Sequence, residues 1–304
     1  MHQWTLENHF EFGRLPDNSD TFVVKCGALQ KEVLSPLEES IFSATHIKNV
    51  NPNEKIVLCL SGGIDSECMA ISFLKAKVSF EVVFLRFKDS LNYFDIRSNI
   101  DFCINNSIKY TFLDLDILHF LESGQFLEIS KQYGCQSPQL AAHLWMLDQI
   151  DGLPILAGNP IAPIWKNDHW FYIGLPGELH SVYFKYFMIN DRPGIPWFFL
   201  YSPEQIASFF NLNCIHDFIT KKKKSEIDYT YGYKYKSYQE GGFEVIPREN
   251  KFTGFELIQK YYDQLAKTEN NYEFNRLFRK PLEEMFPFPD VYLQLIPENY
   301  FPKK

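Results

Sequence analysis

An alternation of short apolar runs with longer amphipathic segments across residues 51–165 constrains the fold more than any other feature. The apolar runs predict strands, and the segments between them predict helices. The predicted strands cover residues 56–60, 80–87, 110–115 and 154–157, and the predicted helices cover 65–76, 95–106 and 137–150. Strands that are apolar throughout and alternate with helices are typical of a parallel sheet covered on both faces. We therefore predict an α/β fold.

The flanking segments divide the chain into three predicted parts. Two strand-like runs on either side of the turn-rich residues 16–20 predict an N-terminal β hairpin, and a helix follows at 36–48. Beyond about residue 165 the regularity fades, and residues 228–242 predict a loop. Further helices are predicted at 203–211, 253–267 and 269–285. We expect a hairpin and helix over 1–50, the main α/β domain over 51–200, and a mostly helical substrate region over 201–304.

Composition limits the classes of function. The 304 residues are 45% hydrophobic, which is enough to bury a sizeable core, and the formal net charge of -8 argues against extensive coating of nucleic acid. None of the six cysteines forms a C-x-x-C pair, which disfavours a zinc knuckle. The N-terminus lacks the basic and apolar regions of a signal peptide, and no run has the length of a membrane span. We expect a cytoplasmic protein with reduced thiols and no membrane partner.

The strand predicted at 56–60 ends in a short turn, residues 61–66, that reads SGGIDS and leads directly into a helix. A glycine-rich turn at a helix N-terminus is suited to bind an anion, because backbone N–H groups and the helix dipole favour negative charge there. Ser61 and Ser66 add hydroxyl donors, and Gly62 and Gly63 allow close approach. Asp65 would hold a divalent cation or brace the turn. The turn therefore predicts a phosphate site at the carboxyl end of the strand.

Two common phosphate-binding motifs are excluded. No lysine follows the glycines as it does in G-x-x-x-x-G-K-[ST], and the dinucleotide motif G-x-G-x-x-G is absent.

The turn, placed after the apolar VLCL of residues 57–60, resembles the SGGxDS loop of the N-type ATP pyrophosphatases, also called the PP-loop or adenine nucleotide alpha hydrolase-like superfamily. In style the segment is nearest the synthetase domain of asparagine synthetases. The resemblance implies a Rossmann-like, HUP-type sheet. It also implies that Mg²⁺ and ATP bind, that ATP is cleaved between its α- and β-phosphates, and that AMP is transferred to a carbonyl or carboxylate. Ammonia or an amine would then displace AMP.

The same resemblance implies further nucleotide contacts. Leu60 would lie under the nucleoside, and Leu85 and Arg86 would border adenine. Ala157 and Gly158 belong to a segment similar to the LSGxG-type segment that approaches the nucleotide. For the strand residues, a purely structural role in the core remains the alternative.

Two features depart from asparagine synthetases. The acids expected soon after the LSGxG-type segment are absent, and Asp168 is a tentative substitute as a second Mg²⁺ ligand or else an ordinary loop acid. His2 stands where a fused glutaminase needs cysteine. Ammonia would therefore come from solution or from a separate glutaminase.

Weaker candidates lie elsewhere in the chain. Arg248 and Lys251 are candidate catalytic cations that would reach the α-phosphate. The lysine run at 221–224 and the tyrosines after it would form a lid, a solvated loop or a contact for nucleic acid. His169 and His180 read as structural, and a sulfur relay through Cys135 is disfavoured.

Three hypotheses follow. The leading one is an adenylating ligase that acts on a small-molecule or nucleobase acceptor. The first alternative is a nucleic-acid or nucleobase-modifying enzyme of the thiolase or deazapurine type, although nucleic acid is the less favoured partner. The second alternative is a non-catalytic module that binds ATP.

Overall fold

The computed structural model describes residues 10–14, 20–24, 26–160, 163–174, 179–215, 231–246, 253–265, 273–286 and 292–302. Arg248, Lys251 and the lysine run at 221–224 lie outside the described residues, and so does the side chain of His180.

The described elements follow the predicted alternation through the first half of the chain. The strands are β1 (Phe10–Arg14), β2 (Asp20–Val24), β3 (Ile56–Cys59), β4 (Glu81–Phe87), β5 (Tyr110–Leu115), β6 (Leu153–Leu156), β7 (Ile164–Lys166), β8 (His169–Gly174) and β9 (Tyr292–Ile296). The helices are α1 (Pro36–Val50), α2 (Ile64–Lys75), α3 (Tyr93–Asn105), α4 (Ile117–Glu122), α5 (Gln125–Tyr133), α6 (Pro138–Asp148), α7 (Leu179–Ile189), α8 (Pro203–Phe210), α9 (Tyr231–Glu240), α10 (Phe255–Leu265) and α11 (Lys280–Met285).

The central sheet has four parallel strands in the order β5-β4-β3-β6. The chain runs outward from β3 through β4 to β5 and then crosses to β6 on the other side of β3. The strand order therefore reverses between β3 and β6, and in such open sheets ligands bind at that point, beyond the carboxyl ends of the strands. This sheet, with helices packed on it, confirms the predicted Rossmann-like α/β fold.

Alternate side chains of the strands enter different cores. Val57 and Cys59 of β3 belong to one apolar cluster with helices such as α6 and α7. Ile56 and Leu58 belong to a second cluster that includes residues of α1 and α2. Successive strand residues point to opposite faces of a sheet, so a strand that is buried on both faces must be apolar throughout. This is why β3, β4 and β6, whose residues are divided between the two clusters, read as largely apolar runs.

The flanking regions agree with the predictions only in part. The antiparallel hairpin of β1 and β2 is present, with Phe12 opposite Phe22. A second antiparallel sheet of β7, β8 and β9 was not predicted, nor were helices α4, α5 and α7. The loop predicted for 228–242 is wrong, because α9 covers most of it. The described part of the helix predicted for 269–285 contains a π-helical turn, Asn275–Arg279, before α11.

The first and the last of the three predicted parts are in contact. The backbone N–H of Leu37 in α1 donates to the carbonyl of Gly241, just after α9, over 3.0 Å. The division into three domains stays a prediction. None of the described helices combines the length and the apolar character needed to cross a bilayer.

Candidate functional site

The turn between β3 and α2 lies at the switch point of the sheet. Strand β3 ends at Cys59, and α2 begins at Ile64 after Gly63, which has an extended backbone (φ -73°, ψ 152°). Gly63 is the N-cap, and no side chain caps the first turn of α2. The first N–H groups of an α-helix have no partner within the helix and carry its positive dipole end. The start of α2 therefore has the geometry of an anion site.

The serine hydroxyl groups form hydrogen bonds within the turn. The Oγ atoms of Ser61 and Ser66 are 3.1 Å apart, and Ser66 Oγ also accepts the backbone N–H of Ser61 at 3.3 Å. The N–H of Gly63 donates to Ser61 Oγ at 3.3 Å. The two serines thus set the shape of the turn in addition to supplying hydroxyls to the site.

Helix α3 supports the turn from the side. The amide of Asn99 donates to the carbonyl oxygen of Ser61 and, at 3.3 Å, to that of Gly63. Asn99 is fully buried. This contact is not predictable from the sequence, because one asparagine within an amphipathic helix gives no local signal of a long-range partner.

Gly62 is required by packing. A Cβ atom on Gly62 would lie 1.1 Å from the backbone carbonyl oxygen of Asp95 in α3. Any side chain at this position would push the turn and α3 apart. The glycine therefore secures the close approach of α3 as well as leaving the backbone open to a ligand.

Asp65 lies in the first turn of α2 and is bound by two residues of α9. Lys234 Nζ is 2.9 Å from one carboxylate oxygen, and the hydroxyl of Tyr238 donates to the other at 2.7 Å. Tyr238 is fully buried, and burial together with the negative charge of Asp65 raises its pKa well above the usual value. Tyr238 therefore stays a neutral hydrogen-bond donor. Lys234 and Tyr238 fall in the segment predicted as a loop, so their role was missed.

The turn opens into a cleft of about 1650 Å³. This volume exceeds the roughly 300–1000 Å³ of a typical small-molecule site, so the cleft has room for a nucleotide and a second ligand. Nine of the predicted site residues line it, namely Leu60, Ser61, Gly62, Gly63, Asp65, Ser66, Leu85, Ala157 and Gly158. The fold thus brings the carboxyl ends of β3, β4 and β6 together around one space.

Other predicted site residues lie elsewhere. Arg86 points to the face of the sheet opposite that of Leu85, where it forms a bidentate ion pair with Asp114 (2.6 and 2.8 Å) and stacks 4.1 Å from the ring centre of Phe112. Asp168 is exposed in the turn between β7 and β8. Neither residue is among those lining the cleft. Arg248 and Lys251 are outside the described residues, whereas Ile246 and Thr253 on either side of them line the cleft.

The end of β6 is shaped by a tryptophan. Gly158 has a left-handed backbone (φ 63°), and a Cβ atom there would lie 1.8 Å from Cδ1 of Trp197. The indole N–H of Trp197 donates to the carbonyl of Asn159 at 2.7 Å. A glycine is needed here both for its backbone conformation and for the approach of the ring. Trp197 holds the residues after β6 in place at the cleft.

A histidine and a tyrosine outside the predicted site also line the cleft. His143 Nδ1 of α6 is 2.6 Å from the hydroxyl of Tyr183 in α7. Burial raises the pKa of Tyr183 well above its usual value, so its hydroxyl stays protonated. The pair adds a polar group to the side of the cleft formed by α6.

The remaining weak candidates have ordinary surroundings. Burial raises the pKa of the Cys135 thiol to about 11, so the reactive thiolate is disfavoured. His169 is exposed at the start of β8.

Asp65 and the two serine hydroxyls supply the oxygen ligands that Mg²⁺ prefers. Within the described residues no cluster of three or more His, Cys, Asp or Glu could hold a metal ion. Mg²⁺ is often bound by one or two carboxylates together with substrate phosphates, rather than by a complete protein cage. The turn therefore fits an ion that it shares with a phosphate ligand.

No protein-family model and no curated protein matches the chain. Among solved structures, the chain is similar to an NMN synthetase from Francisella tularensis, with 17% sequence identity over 71% of this chain and 100% of that chain, at a TM-score of 0.34. A likeness of this size transfers neither a family nor an activity.

Proposed function

We propose that this chain is an ATP pyrophosphatase of the PP-loop type that acts as an adenylating ligase. One observation carries the proposal. The SGGIDS turn lies at the carboxyl end of β3, beside the switch point of the sheet, and it joins the N-terminus of α2 inside the large cleft. Both the sequence motif and the position of the turn support a phosphate ligand.

In the proposed reaction, a carboxylate oxygen of the acceptor attacks the α-phosphorus of ATP. The bond to the bridging oxygen breaks, and pyrophosphate leaves. Ammonia or an amine then attacks the acyl-adenylate carbonyl, so that an amide forms and AMP and a proton are released. Ammonia comes from solution or from a separate glutaminase.

The turn would act mainly on the leaving group. The N–H groups at the start of α2 and the hydroxyls of Ser61 and Ser66 would bind pyrophosphate as its charge develops. Bound Mg²⁺ would neutralise part of that charge. Because Asn99 and Gly62 hold the turn against α3, these donors need little rearrangement when the ligand binds.

The rest of the cleft would hold the other parts of the reactants. Leu60, Leu85 and Ala157 are buried apolar residues that line it, and Gly158 lines it beside them. This surface suits the nucleoside. The volume left over would hold the acceptor, a small molecule or a nucleobase.

Product analysis tests the proposal. The protein is incubated with Mg-ATP, ammonia and a panel of carboxylates and nucleobases, and the nucleotides are separated by ion-exchange chromatography. We expect AMP and pyrophosphate in equal amounts, formed only when an acceptor is present. Formation of ADP and phosphate would contradict the proposal. ATP binding without any AMP would instead favour the non-catalytic module.

A pair of variants locates the activity. Asp65→Asn should lower AMP formation by at least about 100-fold, because the negative charge of the carboxylate is lost while the size and shape of the side chain are kept. Asp114→Asn is the matched control. It removes an exposed carboxylate that pairs with Arg86 away from the cleft, so AMP formation should be unchanged.

A further inference from the structure

Both carboxylate oxygens of Asp65 are held by the same face of one helix. Lys234 and Tyr238 are four residues apart in α9, so their side chains project in the same direction. One places an ammonium group 2.9 Å from Oδ2, and the other places a hydroxyl 2.7 Å from Oδ1. The carboxylate that would share a divalent cation with a nucleotide is therefore already paired with a cation of the chain.

The two partners of Asp65 differ in their freedom to move. The ring of Tyr238 is fully buried and packs against Phe199, Phe209 and Phe243, with ring centres 5.3 to 5.8 Å apart. Lys234 lines the cleft, and 27% of its side chain is exposed. Its charge sits on a stem with four rotatable carbons. Lys234 can therefore change its partner while Tyr238 stays in place.

Helix α9 as a whole is fixed at its carboxyl end. Glu240 accepts the backbone N–H groups of Asn213 and Cys214, and the carbonyl of Gly241 accepts that of Leu37. Because the helix is held there, a new position of the ammonium group requires only rotation of the lysine side chain.

Both charged groups of the ion pair are open to the cleft. Asp65 is 18% exposed and Lys234 is 27% exposed, and both line the cleft, so a ligand can reach them there. A nucleotide brings several negative charges to the start of α2, close to the ammonium group. Its divalent cation would meet Lys234 at the same carboxylate, where two positive groups repel each other.

We propose that Lys234 occupies the cation position of Asp65 in the nucleotide-free protein and moves onto the phosphates when ATP arrives together with its divalent cation. Lys234 is then a phosphate ligand of the site, and the turn has no resident metal ion. This inference rests on the proposed function, since it assumes that the turn binds a polyphosphate.

The first statement of the proposal is that Lys234 occupies the cation position of Asp65. It is tested by titrating the nucleotide-free protein with Mn²⁺ and monitoring binding by electron paramagnetic resonance. Lys234→Met keeps an unbranched side chain of similar length and removes the charge, so Mn²⁺ should bind at least ~10-fold more tightly than to the wild type. Lys234→Arg keeps a positive charge and should resemble the wild type. Lys236→Met is the matched control, because Lys236 is an exposed lysine of the same helix.

The second statement of the proposal is that Lys234 binds the phosphates. Calorimetric titration with inorganic pyrophosphate at saturating Mg²⁺ tests it. Lys234→Met should bind pyrophosphate about 10- to 100-fold more weakly, since one charge-assisted hydrogen bond is lost. Lys236→Met should bind it as the wild type does. Thermal unfolding of each variant verifies that the fold is retained.

The two titrations distinguish a failure of the proposed exchange from a failure of the proposed function. Wild-type and Lys234→Met proteins with equal Mn²⁺ affinity, or with equal pyrophosphate affinity, would overturn the exchange and leave the proposed function standing. A wild type that binds no pyrophosphate would remove the proposed function and the exchange with it. Opposite changes in the two affinities on Lys234→Met are the expected result.

Discussion

Asn99 in α3 donates a hydrogen bond to the backbone carbonyl of Ser61, a residue that precedes it by 38 positions. The contact joins the turn after β3 to α3, which follows α2 and β4 in the chain. The turn is thus held by a buried amide as well as by its own serine hydroxyls.

Replacement of Asn99 should loosen the turn. Asn99→Ala removes the donor and leaves the carbonyl oxygens of Ser61 and Gly63 without it, which should cost about 1–3 kcal/mol of unfolding free energy. ATP affinity should fall as well, because the turn must then be ordered on binding. Urea unfolding and calorimetry measure the two effects. Asn51→Ala is the control, since Asn51 makes the same kind of bond, to Ile47, at the end of α1. Similar losses of ATP affinity in both variants would refute the prediction.

Gly62 should not tolerate alanine. The added Cβ would lie 1.1 Å from the carbonyl oxygen of Asp95, so the turn and α3 must separate. We expect Gly62→Ala to lower the unfolding free energy by several kcal/mol, beyond the ~1–3 kcal/mol typical of an overpacked site. Gly124→Ala, where no atom lies within 4 Å of the new Cβ, carries only the strain of a left-handed backbone (φ 78°), about 1–2 kcal/mol. A smaller loss at Gly62 than at Gly124 in urea unfolding would contradict the packing argument.

Arg86 should be dispensable for nucleotide binding. Its guanidinium pairs with Asp114 and stacks on Phe112, on the face of the sheet away from Leu85. We expect Arg86→Met to leave the affinity for ATP unchanged and to alter the unfolding free energy by less than ~1 kcal/mol. Calorimetric titration with ATP checks this, with Asp65→Asn as the variant that should lose affinity. A tenfold weaker ATP affinity in Arg86→Met would return Arg86 to the site.

The folded protein should lose stability at alkaline pH. Burial raises the pKa of Cys59 to about 12 from an ordinary value of 9.0. Because the folded-state pKa is the higher one, the stabilisation is complete below pH 9 and is lost as pH rises from 9 towards 12. The thiol should contribute a slope of about -1.4 kcal/mol per pH unit over that window.

Urea unfolding under reducing conditions, at intervals from pH 8 to 10.5, measures the slope. Cys59→Ala should make it less steep by the amount that one thiol contributes, whatever the variant costs in packing at neutral pH. An identical slope in the variant and the wild type would show that Cys59 does not titrate in this way.

Much of the fold was predictable because it depends on local patterns. The predicted strands at 56–60 and 110–115 and the predicted helix at 65–76 agree with the structure to within a residue or two. For β3 the reason is burial on both faces of the sheet, which leaves a continuous apolar run. Helix α5 was missed although it is amphipathic and ends in a left-handed glycine, Gly134, so its signal was present in the chain. Helix α9 gave no such signal, because its tyrosines and lysines do not form an apolar stripe.

The candidate site also has a part that could be predicted from local patterns and a part that could not. The SGGIDS turn and its place after a buried strand can be read from consecutive residues, as can Leu60, Leu85, Ala157 and Gly158 at strand ends. Arg86 follows Leu85 in β4, and neighbouring residues of a strand point to opposite faces of the sheet, so the two side chains cannot both face the cleft. That alternation is itself readable from the sequence.

The sequence by itself determined the parallel α/β core and the turn at the end of its central strand, because both follow from residues that are adjacent in the chain. Only the tertiary structure decided what surrounds the turn. Asn99 supports it from α3, and Lys234 and Tyr238 reach Asp65 across 169 and 173 positions of the chain. Such contacts depend on how whole helices pack against the sheet, and the periodicity of one segment carries no record of which distant side chain it will meet.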